Sequence, residues 1–126
     1  MSWDSYRDNL TQSGSVDKAA ICGLDDGAVW TQSAGFNLAP TEVKVLTAAF
    51  QDPSNIRASG INLGGTKYFC LQTDDCQIQG RKGSSGVSVA KSGRCVIIGT
   101  YIDGQQAGNC RKEVETIRDY LRNRGY

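Results

Sequence analysis

The chain has 126 residues and a net charge of +1, a length that fits one domain with a core able to stand without disulfide or metal staples. Hydrophobic residues make up 39% and charged residues 21%, ordinary globular values that exclude a disordered, collagenous or membrane-dominated chain. No apolar run reaches the about 18 residues of a membrane span, and Met1–Asp8 lacks the basic-then-apolar order of a signal peptide, so a cytosolic protein is expected.

Five cysteines, Cys22, Cys70, Cys76, Cys95 and Cys110, form no CxxC pair, and no histidine is present to complete a zinc site. Reduced thiols acting as small hydrophobes are expected, with no metal and no cofactor. The charges are uneven. Residues 1–63 carry four Lys/Arg against seven Asp/Glu, and residues 64–126 carry ten against six. The basic half suits an acidic partner surface. Nothing in the pattern calls for nucleic acid.

Ser2 is placed to cap a first helix running to about residue 12, with Trp3, Tyr6 and Leu10 at helical spacing and Gly14 beyond its end. Lys18–Gly23 reads as a strand, Asp25-Asp26-Gly27 as a tight turn, and Ala28–Gln32 as the return strand. Pro40 suits the first position of a second helix, on which Val43, Leu46 and Phe50 share a buried face; Asp52-Pro53 ends it.

From Gly60 the period changes to two. Ile61–Leu63 is a short strand, Gly64-Gly65 a turn, and Thr66–Gln72 a strand with Lys67, Phe69 and Leu71 on one side and Tyr68, Cys70 and Gln72 on the other. A strand over Cys76–Arg81 follows, then a loop over residues 83–86. Val87–Lys91 and Arg94–Ile102 form a hairpin around Ser92-Gly93. Cys95-Val96-Ile97-Ile98 is too apolar to face water on either side, so its strand should be central. After a loop over Asp103–Gly108, a last helix begins near Asn109 with Cys110, Val114, Ile117 and Leu121 inward. The sum is one α+β domain: a central antiparallel sheet of about six to seven strands covered by helices.

The chemistry of the side chains argues against an enzyme. Without histidine, the Ser-His-Asp and Cys-His arrangements are unavailable, and no GxGxxG or GxxxxGK[ST] loop is present. Asp25-Asp26 and Asp74-Asp75 lie side by side in turns, where turn chemistry explains them better than acid–base work. Binding is the remaining class. Trp3 and Tyr6 begin the first helix, Tyr120 and Tyr126 end the last, and Trp30 lies on an early strand. If the terminal helices pack side by side, these five rings gather in one patch suited to polyproline II ligands. Spacing alone favours the other outcome for Trp3, Tyr6 and Trp30, since aromatic stripes are usually core.

Ser2-Trp3-Asp4-Ser5-Tyr6-Arg7-Asp8-Asn9 resembles the N-terminal signature of the profilins. Ala19–Gly23 followed by Val29-Trp30 resembles their first hairpin, and Leu63–Tyr68 their central turn and strand. Gly80–Gly83 with Gly86-Val87 resembles their basic loop, and Asp119-Tyr120-Leu121 with Tyr126 their last helix. The set spans the chain in order. The resemblance implies a sheet with the terminal helices on one face and the middle helix on the other. It implies binding of monomeric actin with control of its assembly and nucleotide exchange, and delivery to proline-rich proteins such as formin-type assembly factors. Phosphoinositide lipids would be a third ligand, and a cytoplasmic, cytoskeleton-associated monomer is expected.

By that resemblance, Trp3, Tyr6, Asn9, Trp30, Tyr120 and Tyr126 would hold the proline peptide. Lys67, Arg81, Lys82, Gly108, Arg111 and Lys112 would face actin. Lys67, Arg81, Lys82, Lys91, Arg122 and Arg124 would meet anionic head groups. Tyr120 stands where vertebrate-type members tend to carry histidine, and keeps both a ring and a donor. Two other readings compete: an α+β scaffold or proline-peptide module without actin activity, and a thiol enzyme marked by a low-pKa cysteine.

Overall fold

The computed structural model describes residues 3–126, so the expected cap Ser2 lies outside the described residues. In chain order these form α1 (Trp3–Gln12), β1 (Lys18–Gly23), β2 (Val29–Gln32), α2 (Pro40–Ala48), α3 (Ser54–Ser59), β3 (Ile61–Leu63), β4 (Thr66–Thr73), β5 (Gln77–Lys82), β6 (Ser85–Lys91), β7 (Cys95–Tyr101) and α4 (Ala107–Asn123). The strands make one antiparallel sheet in the order β2-β1-β7-β6-β5-β4-β3.

Alternation splits the apolar side chains between two faces. Val96 and Ile98 of β7 join Val43, Leu46 and Ile56 in a core under α2 and α3. Cys95, Ile97 and Tyr101 of the same strand join Leu10, Cys110, Val114 and Leu121 in a core under α1 and α4. The terminal helices therefore share one face and the middle helix takes the other, as expected. Every residue of β7 is buried, the outcome its unbroken apolar run required.

Close approach on the α4 side depends on Gly99, where a Cβ would lie 2.6 Å from Val114 Cγ2. Pro40 opens α2, and Glu42 Oε1 accepts from the N–H groups of Ala39 (2.9 Å) and Gly64 (3.0 Å), capping the helix and holding the β3–β4 turn to it. The two aspartate pairs do turn work. Asp26 Oδ1 accepts from the Ala28 N–H, and Asp74 Oδ1 from the Cys76 and Gln77 N–H groups.

Five details differ from the sequence reading. Helix α2 ends at Ala48, so Phe50 reaches the α2-side core from the turn after the helix and not from the helix itself. The helix α3 follows the stop at Pro53; with Ile56 as its one buried residue it is too short to show a period. A bulge between Cys70 and Gln72 breaks the alternation of β4, so Gln72 pairs with Gln79 instead of continuing the side of Cys70. Strand β6 begins at Ser85, inside the expected loop, because Arg81–Lys82 pair with Ser85–Gly86 in register. Helix α4 begins at Ala107 rather than near Asn109, since exposed first-turn residues carry no apolar signal.

Candidate functional site

Helix α1 is held to the sheet at both ends of its inner face. Leu10 is fully buried under α4. Just under one turn earlier, Arg7 Nη1 donates to Thr31 Oγ1 (3.1 Å) and to the Gln32 carbonyl (3.0 Å), while the Thr31 hydroxyl donates to Asp4 Oδ1. This clamp fixes α1 against β2 and sets Trp3 above Trp30. Asp4, Arg7 and Thr31 were not singled out by the sequence; the i,i+3 spacing of Asp4 and Arg7 is the one trace of the arrangement.

The five rings meet. Trp3 is the hub, with its ring centroid 4.7 Å from Trp30, 5.8 Å from Tyr6 and 4.9 Å from Tyr126, the last edge-on at 83°. Tyr6 passes the strip on to Tyr120 at 5.7 Å, and the Arg124 guanidinium covers Tyr120 at 4.6 Å. The rings of Trp3, Tyr6, Trp30 and Tyr120 are half-buried, resting on the core but not enclosed by it, and Tyr126 is exposed. They are thus floor and wall of a surface. Burial, followed by the neighbouring Tyr120 hydroxyl, pushes the Tyr6 hydroxyl above the ordinary tyrosine range, so it stays a proton donor. Asn9 lies exposed on α1, one turn beyond Tyr6. The Trp3 end opens on a cavity of about 850 Å³ that also reaches Gly23, Asp26 and Arg94.

The basic residues divide. Lys67 and Arg81 stand exposed on the α4 side of β4 and β5, where the sheet extends past the helix, and Phe69 lies between them in register with Arg81. Phe69 is 72% exposed, and Leu71 is exposed nearby. Gly108, Arg111 and Lys112 occupy the first two turns of α4. Arg111 Nε donates to Glu115 Oε1 at 2.8 Å, and Gln77 Nε2 donates to the same oxygen at 2.6 Å, tying α4 to β5. Lys82, next to Arg81, lines a cavity with Asp17 and Lys18 at the end of the sheet. Lys91 sits elsewhere, with Nζ 5.6 Å above the Phe50 ring on the α2 side. Arg122 faces Asp74, Asp75 and Cys76, and Arg124 belongs to the aromatic patch. The six expected lipid-facing cations are therefore not one cluster. Alternation in the sequence set Phe69 on one side with Lys67 and Leu71, but it does not tell which side is outward or which face is used.

Among the described residues all five cysteines are free thiols. Burial pushes Cys22 and Cys110 up to about 12 and raises Cys70 and Cys95 as well, the opposite of an activated thiol.

The family model described as Profilin matches residues 1–126. The chain belongs to the profilin family. Its sequence is 42% identical over 127 residues to profilin-1A of Acanthamoeba castellanii, covering 100% of both chains. Its fold superposes on the crystal structure of Acanthamoeba castellanii profilin II with a TM-score of 0.96 at 40% identity, over 99% of this chain and 100% of that one. Mouse profilin IIa, 26% identical with a TM-score of 0.86 over 100% of both chains, was solved in complex with a double repeat from the FH1 domain of mDia1. Profilins are non-enzymatic actin-binding proteins.

Proposed function

We propose that this profilin binds monomeric actin through the β4–β5 face with the start of α4, and proline-rich peptides of formin-type assembly factors through the aromatic strip. The observation that carries the reading is the meeting of five rings from α1, β2, α4 and the segment after α4, half-buried or exposed at one surface. A polyproline II segment is already extended and has carbonyls with no internal partner. The rings offer flat apolar contact, and the tyrosine hydroxyls and indole N–H groups are donors for those carbonyls. The FH1-bound mouse relative supports the same use of this fold.

The second face has different chemistry. Phe69 and Leu71 give it an apolar centre, and Lys67, Arg81, Arg111 and Lys112 a basic rim. A rim of this sign speeds encounter with the acidic surface of actin more than it tightens the complex. The two faces use different residues, so one molecule can hold an actin monomer and a proline-rich segment together, in the cytoplasm where both partners reside. Anionic lipid head groups would meet Lys67 and Arg81 on the actin face and Lys82, Lys91, Arg122 and Arg124 elsewhere, so a membrane would compete with actin through the first two.

The test is a titration with monomeric actin carrying a fluorescent nucleotide, following binding and nucleotide release. Saturable binding with an altered release rate supports the actin reading. A folded protein that does not bind the actin is a proline- or lipid-binding variant without actin activity. For the lipid reading, phosphoinositide vesicles should displace bound actin; vesicles that bind without displacing it would separate the two sites.

A further inference from the structure

Tyr126 follows α4 rather than belonging to it. Gly125, at φ 91°, reverses the chain, the Gly125 N–H donates to the Arg122 carbonyl (3.1 Å), and the Tyr126 N–H to the Leu121 carbonyl (2.9 Å). This pair of bonds is a Schellman ending, and it delivers Tyr126 to the edge of the aromatic strip. A second element then takes hold. Ser92 Oγ, in the turn between β6 and β7, donates to the main-chain oxygen of Tyr126 at 2.9 Å, and the Arg94 N–H donates to the same oxygen. The Ser92 hydroxyl has one proton to give, and Tyr126 is a closer acceptor than the Cys95 carbonyl at 3.2 Å. Ser92 is 5% exposed. Gly93 completes the seat, since a Cβ there would lie 3.3 Å from the Tyr126 oxygen. The ring of Tyr126 stands edge-on to Trp3, the hub of the strip.

We infer that the β6–β7 turn, Ser92-Gly93-Arg94, is a positioning element of the proline-peptide groove: it grips the main chain of Tyr126 and so holds the Tyr126 ring as the groove's wall. The inference rests on reading the aromatic strip as that groove. Ser92 is a buried positioning residue that acts through Tyr126 without being part of the aromatic surface. With the Ser92 donor removed, Tyr126 keeps its helix-end bond and the Arg94 N–H but gains freedom about them. The peptide then meets a complete groove for only part of the time, and its apparent affinity falls by that fraction. The actin face lies on β4, β5 and the start of α4 and does not share this turn.

The experiment is a double-mutant cycle read with decaproline. Affinities are measured by calorimetry for the full chain, Ser92→Ala, Tyr126→Ala and the double variant, with actin affinity as the control. Ser92→Ala should weaken decaproline binding about three- to tenfold, the scale of one ordinary hydrogen bond. Actin affinity should be unchanged. In the Tyr126→Ala background the same Ser92→Ala change should shift decaproline affinity less than about 1.5-fold, because the residue it acts through is gone. Gly93→Ala is a second probe that keeps every donor and crowds only the Tyr126 oxygen; it should weaken decaproline in the Tyr126 background alone. Unchanged affinity in Ser92→Ala, or an equal loss in both backgrounds, overturns the anchoring role while leaving the groove in place. Failure of the unmodified chain to bind decaproline overturns the groove reading itself, and the anchoring role with it.

Discussion

Replacing Trp3 with alanine separates a surface ring from a core ring. Trp3 makes ring contacts with Trp30, Tyr6 and Tyr126 at 4.7, 5.8 and 4.9 Å. Each such pair contributes about 0.5–1.5 kcal/mol beyond burial, so the free protein should lose roughly 2–3 kcal/mol once the half-exposure of the site is allowed for. That is smaller than the about 5–15 kcal/mol by which small domains are stable. Helix α1 also keeps Leu10 in the core and the Arg7–Thr31–Asp4 clamp. The variant should therefore fold. Proline-peptide binding should fall further than stability does in relative terms, because a central aromatic anchor contributes about 2 kcal/mol or more, or at least about 30-fold in affinity. Calorimetry is the right assay, since the substitution removes one of the two tryptophans. Actin affinity should stay within about twofold, as no residue of its face touches Trp3. Equal loss of actin and peptide binding, with a collapsed circular-dichroism signal, would show that Trp3 is core and refute the surface reading.

Arg81→Glu should slow association with actin and make the loss larger at low salt, because a rim charge is reversed. Stability should move by less than about 0.5 kcal/mol, since Arg81 is exposed; stopped-flow rates across a salt series check both. Leu10→Ala should cost about 2–5 kcal/mol in urea unfolding, because Leu10 is fully buried and leaves a cavity. Alkylation of the native protein near neutral pH should stop at Cys70 and Cys76, the half-buried pair, and reach all five thiols only after unfolding. Mass spectrometry counts the adducts, and early modification of Cys22 or Cys110 would contradict their burial. The same thiols set an alkaline limit. Their folded pKa lies near 12 against an ordinary 9.0, so the folded state holds its protons more tightly. That contribution is complete below pH 9 and is lost as pH rises toward 12, so melting temperature should fall over that window.

Much of this protein follows from local pattern alone. The apolar run of β7 could only be a central strand, the spacing of Cys110, Val114, Ile117 and Leu121 could only be one buried helix face, and Pro40 and the aspartate turns mark their elements by rules that involve neighbouring residues. The candidate rings were also visible as residues. Spacing alone did not show their role, because it favours core positions for Trp3, Tyr6 and Trp30. Only the packing of α1 beside α4 over one sheet face leaves the rings half out of the core and each within 6 Å of a neighbouring ring. The same holds for the parts that depend on distant partners: the Arg7–Thr31 clamp and the Ser92 hydroxyl on the Tyr126 oxygen. The physical reason is common to both. Periodicity and capping are short-range, written in residues a turn or two apart, whereas contacts across 24 or 34 residues exist only after tertiary burial has paid the loop-closure entropy.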